Sequence, residues 1–264
     1  MRSEAVPDAH PPGGSRTKSA RKVVMASLMK IAHRGYSARF SENTMPAFMA
    51  AVEAGADMIE LDVHLSSDGE LVVIHDNFID RTSNGSGAVK DLALSELRGF
   101  DFDFMKTSNL AFVSIPTLEE VIDAVRGRLM LNIEIKNCPY RYPGIEEALI
   151  GLLKKKEFLD DAILSSFDHY SLLKARRLCP GVKTGMLYDA VWLNFAREID
   201  ELGLYSIHPS VDAVDAEQLR LARSRGLRVY TWVAHDRKTV DRLAGAGLVD
   251  GIMVNDLSLL LPPS

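Results

Sequence analysis

Cysteine is scarce in this chain: its two copies, Cys138 and Cys179, stand far apart, with no C-x-x-C pair and no metal-ligand spacing. That excludes a disulfide-stapled scaffold and a thiolate metal site, and leaves two reduced thiols. Long apolar runs are missing as well. No stretch approaches the roughly 18 to 20 consecutive apolar residues of a membrane span, so no stable membrane insertion is expected. Nor is positive charge in excess, since 31 Lys and Arg against 36 Asp and Glu give a formal net charge of -5. A nucleic-acid partner usually demands a basic face, so none is expected, and an anionic substrate would have to be met by local cations.

What is present is an ordinary globular composition. At 264 residues, 47% hydrophobic and 25% charged, the chain can build a sizeable core and fits either one large α/β barrel or two modest domains. Residues 1–28 differ from the rest, with Pro11, Pro12, Gly13 and Gly14 beside the basic Arg16, Lys18, Arg21 and Lys22. They are expected to be a disordered leader. The apolar segment VVMASLM is short and runs straight into the first strand, unlike a secretory signal, so a cytoplasmic location is expected.

From residue 29 to 264, short apolar or β-branched runs alternate with helical-period stretches, the pattern of a parallel sheet wrapped by helices. LMKIAH, MIELDV, LVVIH, LMLNIEIK, AILSSF and the stretches 183–187, 205–208, 228–232 and 251–254 read as strands. Helices are expected at 44–54, 117–125, 145–156, through Arg177, at 216–224 and at 237–244. Nine strand candidates are one too many for an eight-stranded barrel. The surplus resolves at MIELDV and LVVIH, because the link HLSSDGE, with its Asp68-Gly69 turn, is too short for a parallel crossover. LVVIH becomes an antiparallel return arm that brings His75 to the strand ends. The fold class is therefore α/β, a (β/α)8 TIM barrel with a small insertion after the second barrel strand. That insertion, residues 77–114, carries a Gly- and Ser-containing turn, a short helical piece at 94–97 and the run FDFDF. It reads as a lid or as a plain surface excursion.

In such a barrel, reactive groups belong at the carboxyl ends of the strands. His33-Arg34 close the first strand, Glu60 and Asp62 lie in the second, His75-Asp76 follow the return arm, and Glu134 and Lys136 end the next strand. Period-two spacing points Glu60 and Asp62 to one side of their strand, and Glu134 and Lys136 likewise. A buried ion pair would account for Glu134 with Lys136 alone. It would not account for three carboxylates converging from two strands, an oxygen-only set suited to one hard divalent cation, Mg2+ or Ca2+. Two histidines beside the same strand ends supply an acid and a base near neutral pH.

The run HRGYSARFSENTMPAFMAAVEAGADMIELDVHLSSDGELVVIHD resembles the opening signature of the glycerophosphodiester phosphodiesterase family. The resemblance continues through IPTLEEVI, LNIEIK, ILSSF, Tyr230-Thr231-Trp232 and DGIMVND, covering Lys30 to Leu260. It implies metal-dependent hydrolysis of a small-molecule phosphodiester, with glycerol 3-phosphate and an alcohol as products. By position it implies His33 and His75 as general acid and base, Glu60, Asp62 and Glu134 as metal ligands, Arg34 and Lys136 as phosphate contacts, and Glu42 as a supporting residue. Trp232 is expected either to wall the pocket or to pack between barrel and helices. Three positions depart from the family pattern: Ser41 replaces a usual proline, Ala234-His235 follow Trp232, and the closing Asn255-Asp256 lacks its proline. A related activity on lysophospholipids would require an exposed apolar rim near residues 77–114.

Overall fold

The computed structural model describes residues 28–103, 110 and 112–261. The leader expected over residues 1–28 therefore lies, apart from Leu28, outside the described residues. Among those residues there are nine strands: β1 (Met29–His33), β2 (Met58–Leu65), β3 (Leu71–Val73), β4 (Met130–Ile135), β5 (Ala162–Ser166), β6 (Lys183–Tyr188), β7 (Ser206–Pro209), β8 (Arg228–Ala234) and β9 (Gly251–Val254). The sheet runs β1-β9-β8-β7-β6-β5-β4-β2-β3, and parallel pairing of β1 with β2 closes it. Eight strands thus form a parallel barrel. The ninth, β3, pairs antiparallel with β2, placing Val63 opposite Val73 and Leu65 opposite Leu71, as the short Asp68-Gly69 link requires.

Eight α-helices accompany them among the described residues: α1 (Met45–Glu53), α2 (Leu94–Leu97), α3 (Leu118–Val125), α4 (Ile145–Lys155), α5 (His169–Leu178), α6 (Phe195–Leu202), α7 (Ala216–Ser224) and α8 (Arg237–Ala246). Side-chain caps start several of them. Thr44 accepts from the Ala47 N–H at the head of α1, and Thr117 forms a reciprocal capping box with Glu120 at α3. The caps fix where each helix leaves the catalytic rim.

Strand alternation sorts side chains between two cores. Ile59, Leu61 and Val63 of β2 and Leu131, Ile133 and Ile135 of β4 join the main cluster with the surrounding helices. Met58 and Ile163 face inward with Ile31, Tyr230 and Met253, forming an apolar floor against which Met29, Met130 and Trp232 pack. Further along the same inward faces come Glu60, Asp62, Asn132, Glu134 and Ser165, all buried. The barrel interior is thus apolar toward the amino ends of its strands and polar toward the carboxyl ends, which puts the chemistry at one mouth.

The insertion has a core of its own. Ile79, Val89, Leu97 and Phe102 cluster with Ile115 just beyond it and with Val72 and Ile74 of the β3 arm, so the segment is more than a loose excursion. Residues 104–109 and 111 of it lie outside the described residues.

Candidate active site

Register assembles the site. His33 stands opposite Glu60, and Asp62 stands opposite Glu134; neighbours in parallel register point to the same side of the sheet, here the barrel mouth. The chain then turns sharply at Gly35, whose φ is +81° and whose position leaves no room for a Cβ, which would lie 2.8 Å from the Ala47 backbone. Arg34 and Asn43, both non-glycine, also adopt left-handed backbone at φ 56° and 57°. Such strain persists only where the surroundings hold it, and both residues are tied to the acidic centre. The Arg34 backbone N–H donates to Glu60 Oε2 at 3.0 Å, and Asn43 Nδ2 donates to Asp62 Oδ2 at 2.8 Å.

The three carboxylates face one another. Glu60, Asp62 and Glu134 each offer an oxygen within 4.8 Å of the others, and all three are buried. Lys136 Nζ donates to Glu134 Oε1 at 2.5 Å and lies 3.0 Å from Asp62 Oδ1, while Arg34 Nε lies 3.4 Å from Asp62 Oδ2. Burial, with repulsion from Asp62 and Glu134, pushes Glu60 well above the ordinary carboxylate range. Burial likewise pushes Glu134 up to about 7 against the pull of Lys136. For Asp62 burial works in the same direction, but Lys136 and Arg34 outweigh it and hold the group ionised far below that range. Two fixed cations thus face three acids, and the buried Asp62 Oδ1 lies against the Lys136 ammonium at 3.0 Å. A crowded, oxygen-only set of three buried carboxylates fits a hard divalent cation, and these residues could hold one.

The two expected histidines flank this centre. His33 Nδ1–H donates to Asn255 Oδ1 at 2.7 Å, leaving Nε2 directed at Glu60 Oε2, 3.8 Å away. Burial, reinforced by Arg34, pushes its pKa down to about 4. His75 Nδ1–H donates to Asp76 Oδ1 at 2.6 Å, and burial lowers its pKa as well. The chain around His75 is pinned by His64, whose Nε2 donates to the His75 carbonyl at 3.1 Å. Glu42 accepts from Arg34 Nη1 at 2.9 Å. Trp232 does not pack between barrel and helices. It lies on the inner floor, donates its indole N–H to the His208 carbonyl at 2.7 Å and meets Phe167 edge-on at 5.5 Å.

Asn43, Asp76, Arg81 and Asn255 belong to the same constellation and were assigned no role from the sequence. Arg81 reaches both Asp76 and Glu42. Of these, Asn43, Asp76 and Asn255 had a signal, since they lie in the quoted ENT, HD and ND. Ser41, one of the departures, donates to Asp103 of the insertion at 2.5 Å and ties the first loop to it.

The glycerophosphoryl diester phosphodiesterase family model matches residues 33–259. The chain belongs to that family. It is 40% identical to the glycerophosphodiester phosphodiesterase of Caldanaerobacter subterraneus subsp. tengcongensis, over 88% of this chain and 95% of that protein. A glycerophosphodiester phosphodiesterase of Bacillus altitudinis is 44% identical over 85% of this chain and 93% of its own length. Among solved structures, an Oleispira antarctica phosphodiesterase in complex with the product sn-glycerol-3-phosphate superposes with a TM-score of 0.77 at 27% identity, covering 88% of this chain and 95% of that one. As a family member the chain is a phosphoric diester hydrolase on a TIM barrel, acting on a small-molecule substrate.

Proposed function

We propose that this phosphodiesterase hydrolyses glycerophosphodiesters such as glycerophosphocholine or glycerophosphoethanolamine to glycerol 3-phosphate and the free alcohol. Glu60, Asp62 and Glu134 hold one divalent cation, Mg2+ or Ca2+. An ion held there would supply Lewis-acid stabilisation of the charge on the phosphate. Arg34 and Lys136 add fixed positive charge beside the phosphate, and in a partly dry mouth that charge acts more strongly than in water. One of the two imidazoles, His33 and His75, takes the proton of the attacking group, and the other returns a proton to the departing alkoxide. Asn255 and Asp76 hold each ring by its Nδ1, so that Nε2 is the atom left for proton transfer. Trp232 walls the pocket.

The observation that carries the reading is the gathering of three buried carboxylates between two hydrogen-bonded imidazoles at one barrel mouth. Incubation with glycerophosphocholine, before and after exhaustive chelation, tests it. Release of glycerol 3-phosphate that stops on chelation and returns with Mg2+ or Ca2+ is expected; undiminished release after chelation would reject the cation's part.

One observation favours a second reading. Phe78, Leu110 and Phe112 on the insertion are exposed, Phe112 by 52%, and Leu110 and Phe112 line a groove of about 420 Å³ with Met45, Ile115 and Pro116. Such a rim suits an acyl chain, so lysophospholipids are a further candidate substrate class. Parallel assays with long-chain and deacylated diesters separate the two.

A further inference from the structure

Arg81 stands where two arms of the site meet, and a lone exposed ion pair does not describe it. Its side chain is about half exposed, and exposed pairs contribute little to stability. Yet its guanidinium makes four hydrogen bonds to two carboxylates. Nε donates to Asp76 Oδ2 at 2.6 Å and Nη2 to Asp76 Oδ1 at 3.1 Å. Nη1 donates to Glu42 Oε2 at 3.1 Å and Nη2 to Glu42 Oε1 at 2.6 Å. Each carboxylate carries a second load: Asp76 accepts from His75 Nδ1 at 2.6 Å, and Glu42 accepts from Arg34 Nη1 at 2.9 Å.

We infer that Arg81 is a positioning residue that locks His75 through Asp76 and Arg34 through Glu42, so that the insertion sets the aim of one proton-transfer group and one phosphate contact together. The physical argument is rotational. An Asp76 carboxylate held only by His75 can turn about its own side-chain bonds and release Nδ1, letting the imidazole swing or exchange its tautomer. Gripped by a planar fork on both oxygens it cannot, and the ring keeps Nε2 toward the mouth. Glu42, gripped the same way, keeps its pull on Arg34 Nη1 while Arg34 Nε stays 3.4 Å from Asp62 Oδ2. A lysine at this position would offer a point charge without the fork.

The inference rests on the proposed roles of His75 and Arg34, and the experiment keeps the two apart. Steady-state kinetics on glycerophosphocholine are measured for wild type, Asp76→Asn, Glu42→Gln, Arg81→Ala, Arg81→Lys and His75→Ala, with melting curves for each. Asp76→Asn is expected to lower kcat about ten- to a hundredfold at little change in KM, as misaimed proton transfer does. Glu42→Gln is expected mainly to raise KM. Arg81→Ala should do both, Arg81→Lys should recover little, and free guanidinium should restore part of the Arg81→Ala loss. In a His75→Ala background, Arg81→Ala should leave the residual kcat nearly unchanged. A wild-type kcat and KM in Arg81→Ala, or an equal proportional loss with and without His75, would overturn the inference. Full turnover in His75→Ala would instead overturn the reading of the site on which it rests.

Discussion

The two halves of the barrel interior bury polar side chains in opposite ways. On β1, β2 and β4 the inward positions are charged and answered by charge: Glu60, Asp62 and Glu134 face Arg34 and Lys136. On β5, β6 and β7 they are neutral: Ser165, Gly185, Ser206 and His208, with the His208 ring accepting or donating only to Ser206 at 2.8 Å. His208 Nδ1 and Ser165 Oγ have no partner, nor do the side-chain atoms of Asn132 at the border, where ordered water is the usual answer. A buried charge is tolerated where a counter-charge or an ion compensates it, so the charged half marks the chemistry and the neutral half supports it.

The comparison sharpens first at the histidines. His33→Ala and His75→Ala should each lower kcat by about a hundred- to ten-thousandfold while calorimetric titration still shows the divalent cation binding. His208→Gln, on the neutral side, should leave kcat within a few fold. Equal losses at all three would erase the distinction between the halves.

Next comes the cost of breaking a compensated charge. Asp62→Ala leaves Lys136 with Glu134 and Arg34 with Glu42, and should destabilise the fold by about 1.5 to 3 kcal/mol, the range for losing hydrogen bonds to a charged group, as well as weaken cation binding. Denaturant unfolding in chelator measures the first part alone. A loss below about 1 kcal/mol there would mean that the pair is effectively solvated.

Smaller effects probe the neutral half. A Cβ on Gly185 would meet His208 Nε2 at 2.4 Å and Ser206 Oγ at 2.9 Å, so Gly185→Ala should cost about 1 to 3 kcal/mol. Combined with His208→Ala the penalty should shrink, since the clashing ring is gone; simple additivity would deny the contact. A further effect is on pH dependence. Burial pushes His208 from 6.5 down to about 3. Above about pH 6.5 the ring is neutral in both folded and unfolded chains and imposes no cost. As pH falls below that, the unfolded chain binds a proton that the folded chain does not, so stability declines until the folded ring titrates near pH 3. His208→Gln should therefore remove its share of the slope between about pH 6.5 and 4, leaving those of His33 and His64, both pushed down to about 4, of His75, also lowered, and the opposing slope of the raised Glu134. An unchanged slope would contradict the burial argument.

Much of this was legible because strands announce their faces. The alternation in MIELDV separated Ile59 and Leu61 from Glu60 and Asp62, and the link around Asp68-Gly69 was too short for anything but the antiparallel β3. The polar orienting groups were harder. Asn255 meets His33 from 222 residues away, and only closure of β9 against β1 brings them together. Arg81 lies in a segment without period, where an arginine looks like any solvated charge until Asp76 and Glu42 arrive on either side. Trp232 stood between two expectations, and the alternation that turns Tyr230 inward decided for the barrel interior.

The most direct test of the account is a crystal structure of the chain soaked in Mn2+, read by anomalous scattering. The account predicts one peak bound by oxygens of Glu60, Asp62 and Glu134 at about 2.0 to 2.6 Å, flanked by His33 and His75. An empty acidic centre, with the ion elsewhere or absent, would contradict it.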